Sequence, residues 1–156
     1  MKINAQKGFT VVELVITIAI FAILAGIAIP SFQRHVVNAD LRNAARSVAT
    51  DFFLYKERAI AENRQYRILF NTGSHSYQIQ QPHGTTISTK NLTSFRHDIA
   101  ISSAEEIDYT LQPRGTVKIG NGTETRAKIE LTNSRGSTAT VTIYITGKTS
   151  VTFNMQ

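Results

Sequence analysis

With 156 residues and a formal charge of +6, the chain is long enough for one domain and an anchor. It contains no cysteine, which excludes a disulfide framework and a thiolate metal site. The basic excess permits a nucleic-acid or anionic-lipid surface without requiring one.

The first element is an apolar run. From Phe9 to Ile29 the only charged side chain is Glu13, and a helix of ~20 apolar residues spans a bilayer. Such a helix satisfies its own backbone, as lipid demands. The run exceeds the roughly 7–15-residue apolar core of a secretory signal, and no small-x-small pattern closes it. The one candidate processing bond, Gly8-Phe9, lies before the run. A carboxylate in a spanning helix is expensive and points to a functional partner. Simple solvation of Glu13 at headgroup level is the plainer account, and the residue alone leaves both open.

Lys7-Gly8-Phe9-Thr10-Val11-Val12-Glu13, after a short leader with Lys2, resembles the processing motif of type IV pilins and type II secretion pseudopilins. The resemblance implies cleavage after Gly8 by a prepilin peptidase and N-methylation of Phe9. It also implies that Glu13 pairs with the Phe9 ammonium of a neighbouring subunit. A bare single-span anchor explains the helix but neither Gly8-Phe9 nor Glu13. The family's orientation would put the amino terminus in the cytoplasm and the rest of the chain in the periplasm. The Lys/Arg count on the two sides of the span does not favour that orientation by itself.

Pro30 removes one helical hydrogen bond and predicts a kink. The helix then continues: Val37, Leu41, Ala44, Val48, Phe52, Tyr55 and Ala59 recur every three or four residues and form one apolar face. Asn63 is a stop signal. Leu41 to Asp51 and Arg58 to Asn63 are similar to the H-type pseudopilin and T-type fimbrial minor pilin group (GspH/FimT). The expected organisation is a leader at 1–8, a transmembrane helix at 9–30, its amphipathic continuation at 31–63 and a β-rich domain at 64–156. The fold class is α+β and pilin-like, with the long helix packed on an antiparallel sheet.

Beyond Asn63 the period shifts to strands. Gln65 to Phe70 and Ser76 to Gln81 flank the turn Asn71 to His75 and read as a hairpin. Pro82 to Ser94 is polar and reads as a loop with short extended pieces. Short strands follow at Ile99–Ile101, Ile107–Leu111 and Gly115–Ile119. Ala127–Thr132, Thr140–Ile145 and Ser150–Phe153 alternate clearly and are rich in Thr, Val and Ile. Together they predict an antiparallel meander with one face on the helix.

Chemistry is scarce. Gly147-Lys148-Thr149 ends like a phosphate-binding loop, but Thr142 stands where the first glycine belongs, and a strand follows instead of a helix. His35, His75, His83 and His97 lack metal-ligand spacing. Glu105, Glu106 and Asp108 form an acidic group that suits a solvated loop better than a cation site. No enzyme and no cofactor are expected. Arg114, Lys118, Arg126, Lys128, Arg135 and Lys148 outnumber Glu124 and Glu130 in the last third. Such cations can neutralise phosphates without reading bases, and a solvated basic face is the plainer account. Some T-type minor pilins take part in DNA uptake, with a glycine and two spaced arginines near the last hairpin. Here Lys148 and Ser150 stand in the arginine places.

The expected function is that of a minor pilin or pseudopilin. Such a subunit assembles into, or primes, a type II secretion pseudopilus or a type IV pilus, and the alternative is a DNA-binding minor pilin. Implied partners are other pilin or pseudopilin subunits, the prepilin peptidase and the inner-membrane assembly platform. The expected place is the bacterial inner membrane, crossed once, and then the filament.

Overall fold

The computed structural model describes residues 9–95, 99–105 and 107–156. The chain falls into two units, Met1–Val36 and Val37–Gln156, and helix α1, Val11–Ala61, contributes to both. In the first unit, α1 carries Val11–Ile29, 19 residues that are long and apolar enough to cross a membrane. Val12, Phe21 and Ile27 are among the side chains that this stretch leaves exposed on the isolated chain.

Among the described residues the second unit holds the helix from Val37 onward and nine strands. Leu41, Ala44, Val48, Phe52 and Ala59 are almost wholly buried, with Val37 and Tyr55 nearly so. The seven-residue stripe is therefore the core face of the helix. The helix stops where Asn63 turns left-handed at φ +50°. Asparagine tolerates that conformation, and the chain reversal lets the Arg64 N–H donate to the Ala59 carbonyl at 3.2 Å.

The strands are β1 Tyr66–Asn71, β2 Ser76–Gln80, β3 Thr86–Asn91, β4 Ala100–Ala104, β5 Asp108–Leu111, β6 Val117–Ile119, β7 Arg126–Thr132, β8 Thr138–Tyr144 and β9 Thr149–Asn154. They form two antiparallel sheets, ordered β3-β2-β1-β5-β6 and β4-β7-β8-β9. The expected single meander is corrected here. β5 returns to pair with β1, and β4 leaves its chain neighbours to pair with β7. Alternation tells which side chains face inward but not which strand lies alongside.

β3 is also more than the short extended pieces expected. It is a six-residue edge strand whose side chains are mostly exposed. It is held by its ladder to β2, so no apolar alternation announces it. Between the helix and the first sheet, Phe52 meets Tyr109 edge-on at 5.1 Å, and Phe70 stacks on Tyr77 at 5.2 Å. Ala127, Ile129, Leu131, Ala139, Val141 and Ile143 supply the second sheet's buried face.

Candidate functional site

At the amino-terminal end, Phe9 is exposed and lies two residues before the first helical turn. Thr10 caps that turn. Its N–H and its hydroxyl both donate to Glu13 Oε2 at 3.3 Å, and its hydroxyl accepts the Glu13 N–H at 3.2 Å. This reciprocal arrangement is a capping box, the Thr-x-x-Glu pattern that satisfies two orphan helix-start donors at once. The carboxylate therefore has a local reason to sit at the helix start, where the dipole also favours negative charge. Both local bonds use Oε2, and Oε1 takes no hydrogen bond among the described residues. Gly8 lies outside the described residues, so the candidate processing bond is seen only from its Phe9 side.

The six candidate cations do not form one surface. Arg114 and Lys148 belong to turns that abut. The Val117 N–H donates to the Ile145 carbonyl at 2.8 Å, and a Cβ on Gly147 would stand 2.5 Å from the Gly115 carbonyl oxygen. Arg126 faces Tyr144 across the ladder and lies toward the same end. Lys128, two pairs further along, and Arg126 project from the outer face of the second sheet. Lys118 projects from β6 in the other sheet, opposite Thr110. Arg135 sits in the β7–β8 turn, at the far end of strands roughly 20 Å long.

Charge alone did not suggest what surrounds Lys148. A groove of about 480 Å³ is lined by Arg46, Ala49, Phe53 and Lys56 from the helix, by Lys148 from the β8–β9 turn and by Thr149 at the start of β9. Phe53 is 60% exposed, and Lys56 lies over its ring at 5.4 Å. Arg46 and Lys56 fall outside the seven-residue apolar stripe of the helix. The signal for them was Phe53, an aromatic residue off the core stripe.

A second unexpected feature is internal. Asp51 is 5% exposed on the core side of the helix. Its carboxylate accepts the Tyr77 hydroxyl and the Lys90 ammonium, the latter at 2.8 Å. Burial, reinforced by the hydrogen bond to Asp51, holds the Tyr77 phenol well above its ordinary value of 10.0. This cluster ties the helix to β2 and β3.

The acidic group is already spoken for where it is described. Asp108 makes a bidentate pair with Arg67, and Glu105 accepts the Lys128 N–H at 2.9 Å. Glu106 and His97 lie outside the described residues. Among the described residues no three His, Asp or Glu side chains gather to hold a metal ion.

The prokaryotic N-terminal methylation motif family matches residues 3–29. A fimbrial protein of Moraxella nonliquefaciens is 54% identical over 41 residues, 26% of this chain and 27% of that protein. The chain spans less than half the length of that relative and of others such as a Pseudomonas aeruginosa fimbrial protein, matched over 40% of each chain. Two solved structures share the fold over most of the chain. The minor pseudopilin EpsH of the Vibrio cholerae type 2 secretion system aligns with TM-score 0.53 and 12% identity, covering 73% of this chain and 97% of that one. The Pseudomonas aeruginosa type IV minor pilin FimU aligns with TM-score 0.56 and 13% identity, covering 74% and 90%.

Proposed function

Given that this chain is a type IV pilin-like protein with the fold of minor pilins and pseudopilins, we propose that it is a filament subunit. It is cut after Gly8, methylated on Phe9, held in the inner membrane by Val11–Ile29, and passed into a pilus or pseudopilus as a minor component. Its carboxy-terminal domain faces the periplasm. The partners are other pilin or pseudopilin subunits, the prepilin peptidase and the inner-membrane assembly platform.

One observation carries the reading: a methylation motif whose carboxylate is fixed at the helix start by Thr10. Held there, Glu13 can accept a neighbour's Phe9 ammonium on Oε1 without releasing the cap. A charge that is costly alone becomes favourable when the opposite charge arrives.

The test is the mass and amino-terminal sequence of the protein from membranes with and without the peptidase. A methylated Phe9 terminus that depends on the peptidase is the expected result. A chain beginning at Met1 in both preparations would leave only a membrane anchor. Glu13→Ala is expected to insert normally but to enter filaments several-fold less, because it loses the ion pair and not the span. Sheared-filament immunoblots read this directly, and wild-type incorporation would remove the proposed pairing.

A second reading is nucleic-acid binding at the end of the domain that carries Arg114 and Lys148. Lys56, Arg46 and the exposed ring of Phe53 favour it, since cations beside an aromatic platform suit a single strand. It requires affinity for a labelled oligonucleotide that falls steeply with salt.

A further inference from the structure

Among the described residues four strands stand at sheet edges: β3, β6, β4 and β9. An edge offers unpaired N–H and C=O groups to any passing chain, and folds blunt it by shortness, charge, bulges or cover. Three of the four edges are blunted. β6 has three residues, and its Val117 N–H is taken by Ile145. The register of β4 slips between Ile101 and Ser103. β3 carries Lys90, and its pairing slips at Ile79/Gln80.

β9 is neither short, charged nor bulged. Thr149–Asn154 contains no charge and no proline, and it pairs with β8 over six positions without a slip. Among the described residues no strand pairs with its other side. The turn fixes which groups are free. The Tyr144 N–H donates to the Lys148 carbonyl at 2.9 Å, so that pair is hydrogen-bonded. Alternation along an antiparallel ladder then points the N–H and C=O of Thr149, Val151 and Phe153 away from β8.

The side chains beside this edge are unfinished in the same sense. Val151 and Phe153 stand opposite Val141 and Ala139, both fully buried, and so belong to the core face. Yet Phe153 is 38% exposed, and Val151 is only half-buried. The groove of Arg46, Ala49, Phe53 and Lys56 lies beside the start of the same strand. No carboxylate lines it, and neither Arg46 nor Lys148 has an ion pair among the described residues.

We propose that β9 is an acceptor edge for an extended acidic segment of another polypeptide. The segment adds as a further strand, lays apolar side chains over Phe53, Val151 and Phe153, and turns carboxylates toward Arg46 and Lys148. The cations alone would serve a nucleic acid equally well. The free backbone groups decide for a peptide, because their alternation along a strand matches a polypeptide backbone and not a phosphodiester. The inference goes beyond the subunit reading and does not depend on it.

The test uses the full chain in detergent micelles and a labelled peptide that alternates valine and threonine between terminal glutamates. Saturable binding is expected, with slowed hydrogen exchange at Thr149, Val151 and Phe153. The same peptide N-methylated at every second residue should lose about tenfold or more in affinity. Val151→Pro removes the central outward N–H while sparing the ladder to β8, and should weaken binding comparably. Should Val151→Pro fail to fold, the N-methyl comparison still decides on the unaltered protein. Equal binding of the N-methylated peptide would overturn the proposal, and so would protection elsewhere. Tight, salt-sensitive binding of a single-stranded oligonucleotide without peptide binding would overturn it in favour of nucleic acid.

Discussion

Gly147→Ala is expected to destabilise the domain by roughly 2–5 kcal/mol, summing a left-handed backbone penalty and an overpacking penalty. Gly147 has φ +75°, a conformation that an L side chain adopts only with strain. Its Cβ would also stand 2.5 Å from the Gly115 carbonyl oxygen and 2.7 Å from Lys56 Cδ. The lysine chain can move aside, but the carbonyl belongs to a turn held by its own Gly115 N–H to Gln112 bond.

Two other glycines separate the contributions. Gly136 has φ +80°, and its Cβ would meet nothing nearer than Gln156 Oε1 at 3.6 Å. Gly136→Ala should therefore show the backbone penalty alone, about 1–2 kcal/mol. Gly73 has no left-handed φ and would meet only Asn71 Oδ1 at 3.4 Å, so Gly73→Ala should be near neutral. Urea unfolding of the three variants in the same micelles gives the order. Equal losses for Gly147→Ala and Gly136→Ala would mean that the two turns do not press on each other. The consequence reaches the groove, since Gly147 is what lets Lys148 approach the helix.

The helix was the most legible part of the sequence, because one periodic signal carries it. The residues from Val37 to Ala59 that repeat every three or four positions are the ones the core takes up. The strands near the end were legible for a similar reason: Ala127, Ile129 and Leu131 alternate with Arg126, Lys128 and Glu130. What could not be read was pairing. Nothing in Asp108–Leu111 says that it will lie beside Tyr66–Asn71, because a strand's partners are chosen by three-dimensional packing. β3 escaped because an edge strand with exposed threonines buries nothing.

The candidate site divides along the same line. The position of Glu13 at the helix start was legible because capping is local in sequence. The capping box was spelled out by Thr10 and Glu13, although its geometry needed the structure. The groove at Lys148 was not legible. Arg46 and Lys148 are 102 positions apart, and a basic count places no residue beside another. The exposed Phe53 was the one clue, since a helix that needs it only for solubility has no use for an aromatic ring there.

Asp51→Ala is expected to destabilise the fold by roughly 1–3 kcal/mol, chiefly by leaving the Tyr77 hydroxyl buried without its acceptor. Lys90 contributes less, because its side chain is 41% exposed and recovers water when the pair breaks. Tyr77→Phe should cost less, about 1 kcal/mol, since the carboxylate keeps Lys90 while the lost donor leaves no orphan. The double variant should therefore lose less than the sum of the two, with a coupling of about 1 kcal/mol. Additive losses in urea unfolding would mean that the two groups act apart.

The pH dependence has a definite sign. Tyr77 keeps its proton in the folded chain well above 10.0, whereas in the unfolded chain it releases it near that value. The folded state thus binds more protons above pH 10, so its stability is whole below that pH and falls as pH rises beyond it. Tyr77→Phe should flatten that part of the alkaline slope. Tyr66, whose phenol is raised mainly by its hydrogen bond to Glu62, should leave a residual slope that Tyr66→Phe removes separately. An alkaline slope unchanged in Tyr77→Phe would place the buried proton on another group.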